Sequence, residues 1–124
     1  LRVASRDGHA GVVRVLAEDY GLGAADARAF GNEALRNAGI NDRAEVVRLL
    51  HSLYGLGAED ARVLDNMVLR HASKNGHASV VRVLAEDYGL GAADAQQCDA
   101  WTAGANSVSV QAVLKLYYEE APDE

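Results

Sequence analysis

Hydrophobic residues in the middle of the chain recur with the spacing of a helix. Val46, Leu49, Leu50 and Leu53 stand at positions i, i+3, i+4 and i+7, which places them on one face of a helix. No segment alternates hydrophobic and polar residues with a period of two, as a half-buried strand does. The pattern therefore predicts an amphipathic helix here and little or no β-sheet in the chain.

The residues around this helix predict its borders and its neighbours. A shorter helix is predicted before it, with Asn32 as the N-cap. Asp42 stands three residues before Glu45, the spacing of a capping box that would open the amphipathic helix. Gly55 can take the left-handed conformation that ends a helix, and residues 57–62 are good helix formers that predict one further turn.

This pattern occurs three times. Segments of similar sequence begin at Leu1, Leu35 and Leu69, which are 34 residues apart. Each unit is predicted to be a helical hairpin with a short helical connector, and repeats of this length stack side by side into a solenoid. We predict a single all-α repeat domain over residues 1–124, with units at 1–34, 35–68 and 69–99 and a degenerate capping unit at 100–124.

The repeat resembles the ankyrin repeat. The third copy follows the family's order of Leu, Ala, Gly-His and Val-Val with the residues Leu69, Ala72, Gly76-His77 and Val80-Val81. The middle copy departs from it, with Asp42-Arg43 in place of Gly-His, and the loop that forms an outward β-hairpin in the family is replaced by Gly-Leu-Gly-Ala-x-Asp-Ala. The resemblance implies an ankyrin-like α-solenoid of stacked helical hairpins, with little or no β-hairpin, that serves as a non-catalytic protein–protein interaction scaffold.

Positions that vary between otherwise similar copies are the candidate contacts to a protein partner. In ankyrin repeats the two residues before Gly-His lie on the concave face and commonly touch the partner, which here implies Arg6, Asp7, Ile40, Asn41, Lys74 and Asn75. Further candidates are the variable first-helix residues and two residues just before these helices: Val3, Asn37, His71, Asn32 and Asn66. Neutral variation at exposed positions would give the same pattern. Phe30 and Leu64 also match family contact positions, but because they are apolar we expect them to pack the connector against the helices.

Charge and candidate chemistry narrow the function further. The net charge is −6, and acids stand between the arginines, which argues against nucleic acid and anionic membranes as partners. No apolar run is long enough to span a bilayer. Cys98 is the single cysteine, and with no visible signal peptide it favours a cytoplasmic location weakly.

None of the histidines predicts chemistry. We expect His9 and His77 to hold the turns, and His51 and His71 have no cysteine or paired acid at metal-ligand spacing. We therefore expect no enzyme, no metal and no cofactor.

The first copy predicts an uncovered apolar surface. Over their first 27 residues the first and third copies differ at four positions, although only the third has predicted neighbours on both sides. Further repeats upstream, another molecule, or fraying of the first helix would each account for this. If a second copy of the chain docked there head to tail, the contact would propagate into a filament. A self-assembling structural protein, and with it a homo-oligomer by end-to-end stacking, is therefore the alternative to the scaffold.

Overall fold

The computed structural model describes residues 1–119, and within them it contains 11 helices and no strand. The prediction of an all-α chain is confirmed for this part. The end of the predicted last unit, residues 120–124, lies outside the described residues.

The helices repeat along the chain in the order first helix, second helix and connector. The first helices of the four units are α1 (Arg2–Arg6), α4 (Ala29–Ile40), α7 (Val63–Lys74) and α10 (Ala100–Ala103). Of these, α4 and α7 each cross a predicted unit border, at 34/35 and 68/69. The second helices are α2 (Ala10–Glu18), α5 (Ala44–Tyr54), α8 (Ala78–Glu86) and α11 (Val108–Tyr117). The connectors form α3 (Ala24–Ala27), α6 (Ala58–Ala61) and α9 (Ala92–Gln97), so the further helical turn predicted at residues 57–62 is confirmed.

Successive units touch through equivalent helices. α1 contacts α4, α4 contacts α7 and α7 contacts α10, while α2, α5, α8 and α11 contact one another in the same order. Within units, α4 contacts α5 and α7 contacts α8. The molecule therefore has a row of first helices and a row of second helices.

The core lies between these two rows. Leu35 and Leu69 are fully buried in the first row, and Val47, Leu50 and Leu84 are fully buried in the second. Of the stripe predicted on α5, Val46 and Leu50 are buried, while Leu49 and Leu53 are half-buried.

Buried tyrosines join successive second helices. The Tyr88 hydroxyl donates a hydrogen bond to the Val47 carbonyl oxygen at 2.6 Å, and the Tyr118 hydroxyl donates to the Val81 carbonyl oxygen at 2.7 Å. Both rings are buried. A buried hydroxyl needs such a partner, so each tyrosine is held by the unit before it.

Two predicted helix caps are wrong. Asn32 does not cap α4, because its Oδ1 atom is buried without a hydrogen-bond partner among the described residues. The capping box at Asp42 and Glu45 does not form either, since α5 begins at Ala44 with Arg43 as its N-cap residue. Asp42 instead takes a φ of 60°, the left-handed position that Gly8 and Gly76 hold in the first and third units, and Asp tolerates this conformation better than most residues.

A left-handed turn interrupts the first helices of two units. The φ angles of Phe30, Gly31 and Asn32 lie between 56° and 65°, and those of residues 64–66 lie between 53° and 59°. Only Gly31 is free of a Cβ penalty there. Gly55 ends α5 with a φ of 70°, as predicted, and Leu56 packs beneath it in the core.

Candidate binding face

The candidate contact positions of the first helices lie at the surface, either on α1, α4 and α7 or at the residue that follows each of them. These three helices contact one another in order. Those that are exposed are Val3, Arg6, Asp7, Asn41, Lys74 and Asn75. Those that are half-buried are Asn37, Ile40 and His71. We call these nine residues the first-helix face.

In the first unit this face carries an ion pair. The Arg6 Nε atom lies 3.0 Å from Asp7 Oδ1, and its hydrogen bond holds the pKa of Asp7 below the usual value. The Arg6 carbonyl oxygen accepts a hydrogen bond from Arg43 Nε at 3.0 Å, across the boundary between units. The backbone of this turn is therefore tied to the next unit, while the side chains stay exposed.

The second and third units present different chemistry at the same positions. Asn41 donates to the Asn37 carbonyl oxygen at 2.7 Å, which leaves the half-buried Ile40 as the apolar group of its turn. The third unit has the exposed cation Lys74 beside Asn75. A partner that crosses the three units therefore meets an ion pair, an apolar group and a cation in turn.

The structure places Asn32 and Asn66 away from an open surface. Both are buried, and Asn32 Nδ2 donates to Asp60 Oδ1 at 3.1 Å while Asn66 Nδ2 donates to Asp94 Oδ1 at 3.2 Å. We therefore correct their assignment: these side chains join one unit to the next, and they are not part of the first-helix face.

The two aspartates also anchor arginines from the preceding unit. The Arg28 guanidinium donates to Asp60 at 2.8 and 3.3 Å, and the Arg62 guanidinium donates to Asp94 at 2.7 and 3.1 Å. Two parallel bonds of this kind fix the geometry as well as the charge. The repeated Arg and Asp in the connectors are the sequence signal for these pairs, which the reading of the sequence missed.

Ionisation of these aspartates is favoured by their partners. Burial opposes the charged form of Asp60, but the hydrogen bonds from Arg28 and Gly57 outweigh it, so its pKa lies below the usual value. The pKa of Asp94 is lowered in the same way: burial raises it, but the hydrogen bonds from Arg62, Gly91 and Asn66 and the charge of Arg62 together outweigh burial. Both carboxylates are therefore charged at neutral pH and hold successive units together.

The expectation that Phe30 and Leu64 pack against the helices is wrong. Phe30 is 83% exposed and Leu64 is 61% exposed, and both side chains stand on the left-handed turns. Arg36 supports the first turn by donating to the carbonyl oxygens of Phe30 at 2.7 Å and Gly31 at 2.9 Å. The turn therefore holds an apolar side chain out toward solvent at the same position in two successive units.

The remaining candidate groups are dispersed. Burial raises the pKa of the Cys98 thiol to about 11, and His77 Nδ1 is buried without a partner among the described residues. In residues 1–119 no three His, Cys, Asp or Glu side chains come together in a way that could hold a metal ion. None of the helices in that range is both long enough and apolar enough to cross a membrane.

The chain matches no family model, no curated protein and no solved structure.

Proposed function

We propose that the chain is a non-catalytic, ankyrin-like scaffold that binds a protein partner along a surface made of its first-helix face and the exposed side chains of Phe30 and Leu64. The order of helix contacts supports this arrangement, because each first helix touches the first helix of the next unit. Such a row offers an extended surface on which a few side chains per unit contact the partner. In an ankyrin-like solenoid this row forms the concave side.

The observation that carries the proposal is the exposure of Phe30 and Leu64 on strained backbone. A left-handed conformation costs a residue with a Cβ about 1–2 kcal/mol. The isolated chain recovers little of that cost from these two side chains, since both are mostly in water. Burying a Phe or Leu side chain against a partner would stabilise the complex by about 1.5–3 kcal/mol each.

The polar and charged residues of the first-helix face would then supply selectivity for the partner. Polar and charged groups at the rim of an interface favour one partner over others more than they raise affinity. Arg6 with Asp7 and the cation Lys74 sit at equivalent turns and differ in charge. A matching partner carries an acidic group opposite Lys74 and an apolar segment that reaches Leu64.

The test compares two exposed leucines on different helix rows. Leu64→Ser removes an exposed side chain of the proposed surface, and Leu116→Ser removes one that is 70% exposed on the second-helix row. Immobilised wild-type and variant chains are used to capture proteins from a cell extract, and the captured proteins are quantified by mass spectrometry. Urea unfolding of each variant checks that the fold is retained.

We expect proteins captured by the wild type to be lost with Leu64→Ser and retained with Leu116→Ser. Lys74→Glu should remove the same proteins as Leu64→Ser, because both residues belong to the proposed surface. Loss of the captured proteins with Leu116→Ser and retention with Leu64→Ser would contradict the proposal.

A further inference from the structure

The first and third units contain the same sixteen residues, 12–27 and 80–95, in different surroundings. The exposed fractions of three equivalent pairs are Val12 47% and Val80 0%, Val15 42% and Val83 3%, and Tyr20 73% and Tyr88 3%. The side chains are identical, so the difference comes from the neighbour. We call Val12, Val15 and Tyr20, with the acids between and beyond them, the leading face.

The second unit shows what covers this surface when it is buried. Beside the apolar contacts, the Arg48 guanidinium donates to Glu86 at 3.2 Å and to Asp87 at 3.4 Å. Arg62, also in the second unit, makes its paired bonds to Asp94. The third unit is therefore held by apolar packing and by two arginines that reach three acids.

The first unit has the same three acids without such arginines. Glu18, Asp19 and Asp26 are the equivalents of the acids in the third unit. Glu18 lies 3.7 Å from Arg14 of its own helix, and Asp26 accepts a hydrogen bond from the Gly23 amide. Within residues 1–119, no arginine of another unit forms an ion pair with any of the three.

We propose that the leading face docks a helical hairpin with its connector, which together carry two arginines at the relative positions of Arg48 and Arg62. The apolar side of the hairpin covers Val12, Val15 and Tyr20. A backbone carbonyl oxygen of the hairpin accepts a hydrogen bond from the Tyr20 hydroxyl, as the Val47 carbonyl oxygen does from Tyr88. Val12 and Val15 lie on α2 and Tyr20 follows it, and none of the three belongs to the first-helix face, so the proposal does not depend on the proposed function.

The last unit of the chain does not have this chemistry. Arg48 stands six residues before the buried Tyr54 of the second unit, and Ala112 stands six residues before the buried Tyr118 of the last unit. At that position the last unit offers no arginine to the acids of the leading face. Burying charged groups in an interface without partners is costly. A second copy of the chain docked head to tail is therefore the less suitable occupant, which disfavours the filament.

The test adds one unit to the whole chain. A duplicate of residues 35–68 is joined directly before Leu1, so that it meets the first unit across the same junction by which the second unit meets the third. A matched chain carries Arg48→Ala and Arg62→Ala in the added unit only. Amide hydrogen exchange of α2, resolved by NMR, reports docking, and exchange of α8 reports that the original chain is still folded.

We expect the added unit to slow exchange of the α2 amides by at least about tenfold, and the version without arginines to lose most of this protection. Unchanged α2 exchange in the extended chain would overturn the proposal, since an added unit that does not dock leaves α2 as it was. Equal protection by both added units would overturn the need for arginine.

Sedimentation of the unextended chain tests the other occupant. We expect one sedimenting species whose size does not change with concentration. Association that grows with concentration and is abolished by Tyr20→Asp would show that a second copy covers the leading face, and would overturn the proposal.

Discussion

Replacing valine by alanine at two equivalent positions measures how much contact with a preceding unit contributes to the free energy of unfolding. Val80 is fully buried between the second and third units, whereas Val12, in the same local sequence, is about half exposed. Changing each to alanine removes the same two methyl groups from the same helical position. Local effects cancel in the comparison, and only the contact with another unit differs.

The magnitudes follow from the burial. Two methyl groups contribute about 1.6 kcal/mol by transfer from water, and the cavity left at Val80 adds to this. Alanine favours helix over valine by about 0.5 kcal/mol at either position. We therefore expect Val80→Ala to lower the free energy of unfolding by about 2 kcal/mol, and Val12→Ala to change it by less than about 0.5 kcal/mol.

Urea unfolding followed by far-ultraviolet circular dichroism measures both values. We expect the two variants to have the same m-value. When the m-values are equal, the urea midpoints compare stability directly. Equal losses at the two positions would refute the reasoning, since they would mean that the second unit does not cover the third.

Four further substitutions test other parts of the structure. Leu50→Ala should lower the free energy of unfolding by roughly 2–5 kcal/mol, because the side chain is fully buried, and an unchanged thermal melt would remove it from the core. Gly39→Ala should cost about 1–3 kcal/mol in urea unfolding, because a Cβ there would overlap the buried Val68, and a stabilised variant would contradict this packing. Leu64→Gly should raise the free energy of unfolding by about 1 kcal/mol, because glycine relieves the strain of the left-handed backbone. A lower free energy of unfolding in urea would mean that the turn is not strained. Asp94 has a lowered pKa in the folded chain, so its contribution to stability is present above about pH 4 and is lost as the pH falls through the folded pKa. Asp94→Asn should flatten this acidic part of the stability–pH profile. An unchanged profile there would exclude a role for this carboxylate.

The helices of the middle unit were predictable because their signals are local. The spacing of Leu50 with its neighbours, the glycine at position 55 and the helix formers at 57–62 each depend on a few adjacent residues. The exposed leading face was predictable from the repeat. The first and third copies carry the same side chains, but only in the third does a preceding unit cover them. The exposure of Val12 and Tyr20 confirms that expectation.

The left-handed turns were not predictable, because tertiary contacts impose them. Phe30 and Leu64 disfavour positive φ, so local preference predicts a helix start there instead. Hydrogen bonds from Arg36 to the first turn, and from Asn32 to the next unit, hold a conformation that no local pattern announces.

The predicted N-cap of α5 was wrong for a related reason. Asp42 can serve either as an N-cap or as a residue with positive φ, and spacing alone does not distinguish the two. The equivalent Gly8 and Gly76 both have positive φ, so the repeat as a whole carried the information that the single unit lacked.

Hydrogen exchange of the unmodified chain tests most directly whether neighbouring units protect one another. The segments 13–27 and 81–95 have identical sequences and therefore equal intrinsic exchange rates, and NMR separates their amides. Packing against a unit on only one side predicts that α2 exchanges at least about tenfold faster than α8. Equal protection of the two helices would contradict the account, because it would mean that contact with the preceding unit adds nothing to the stability of the third.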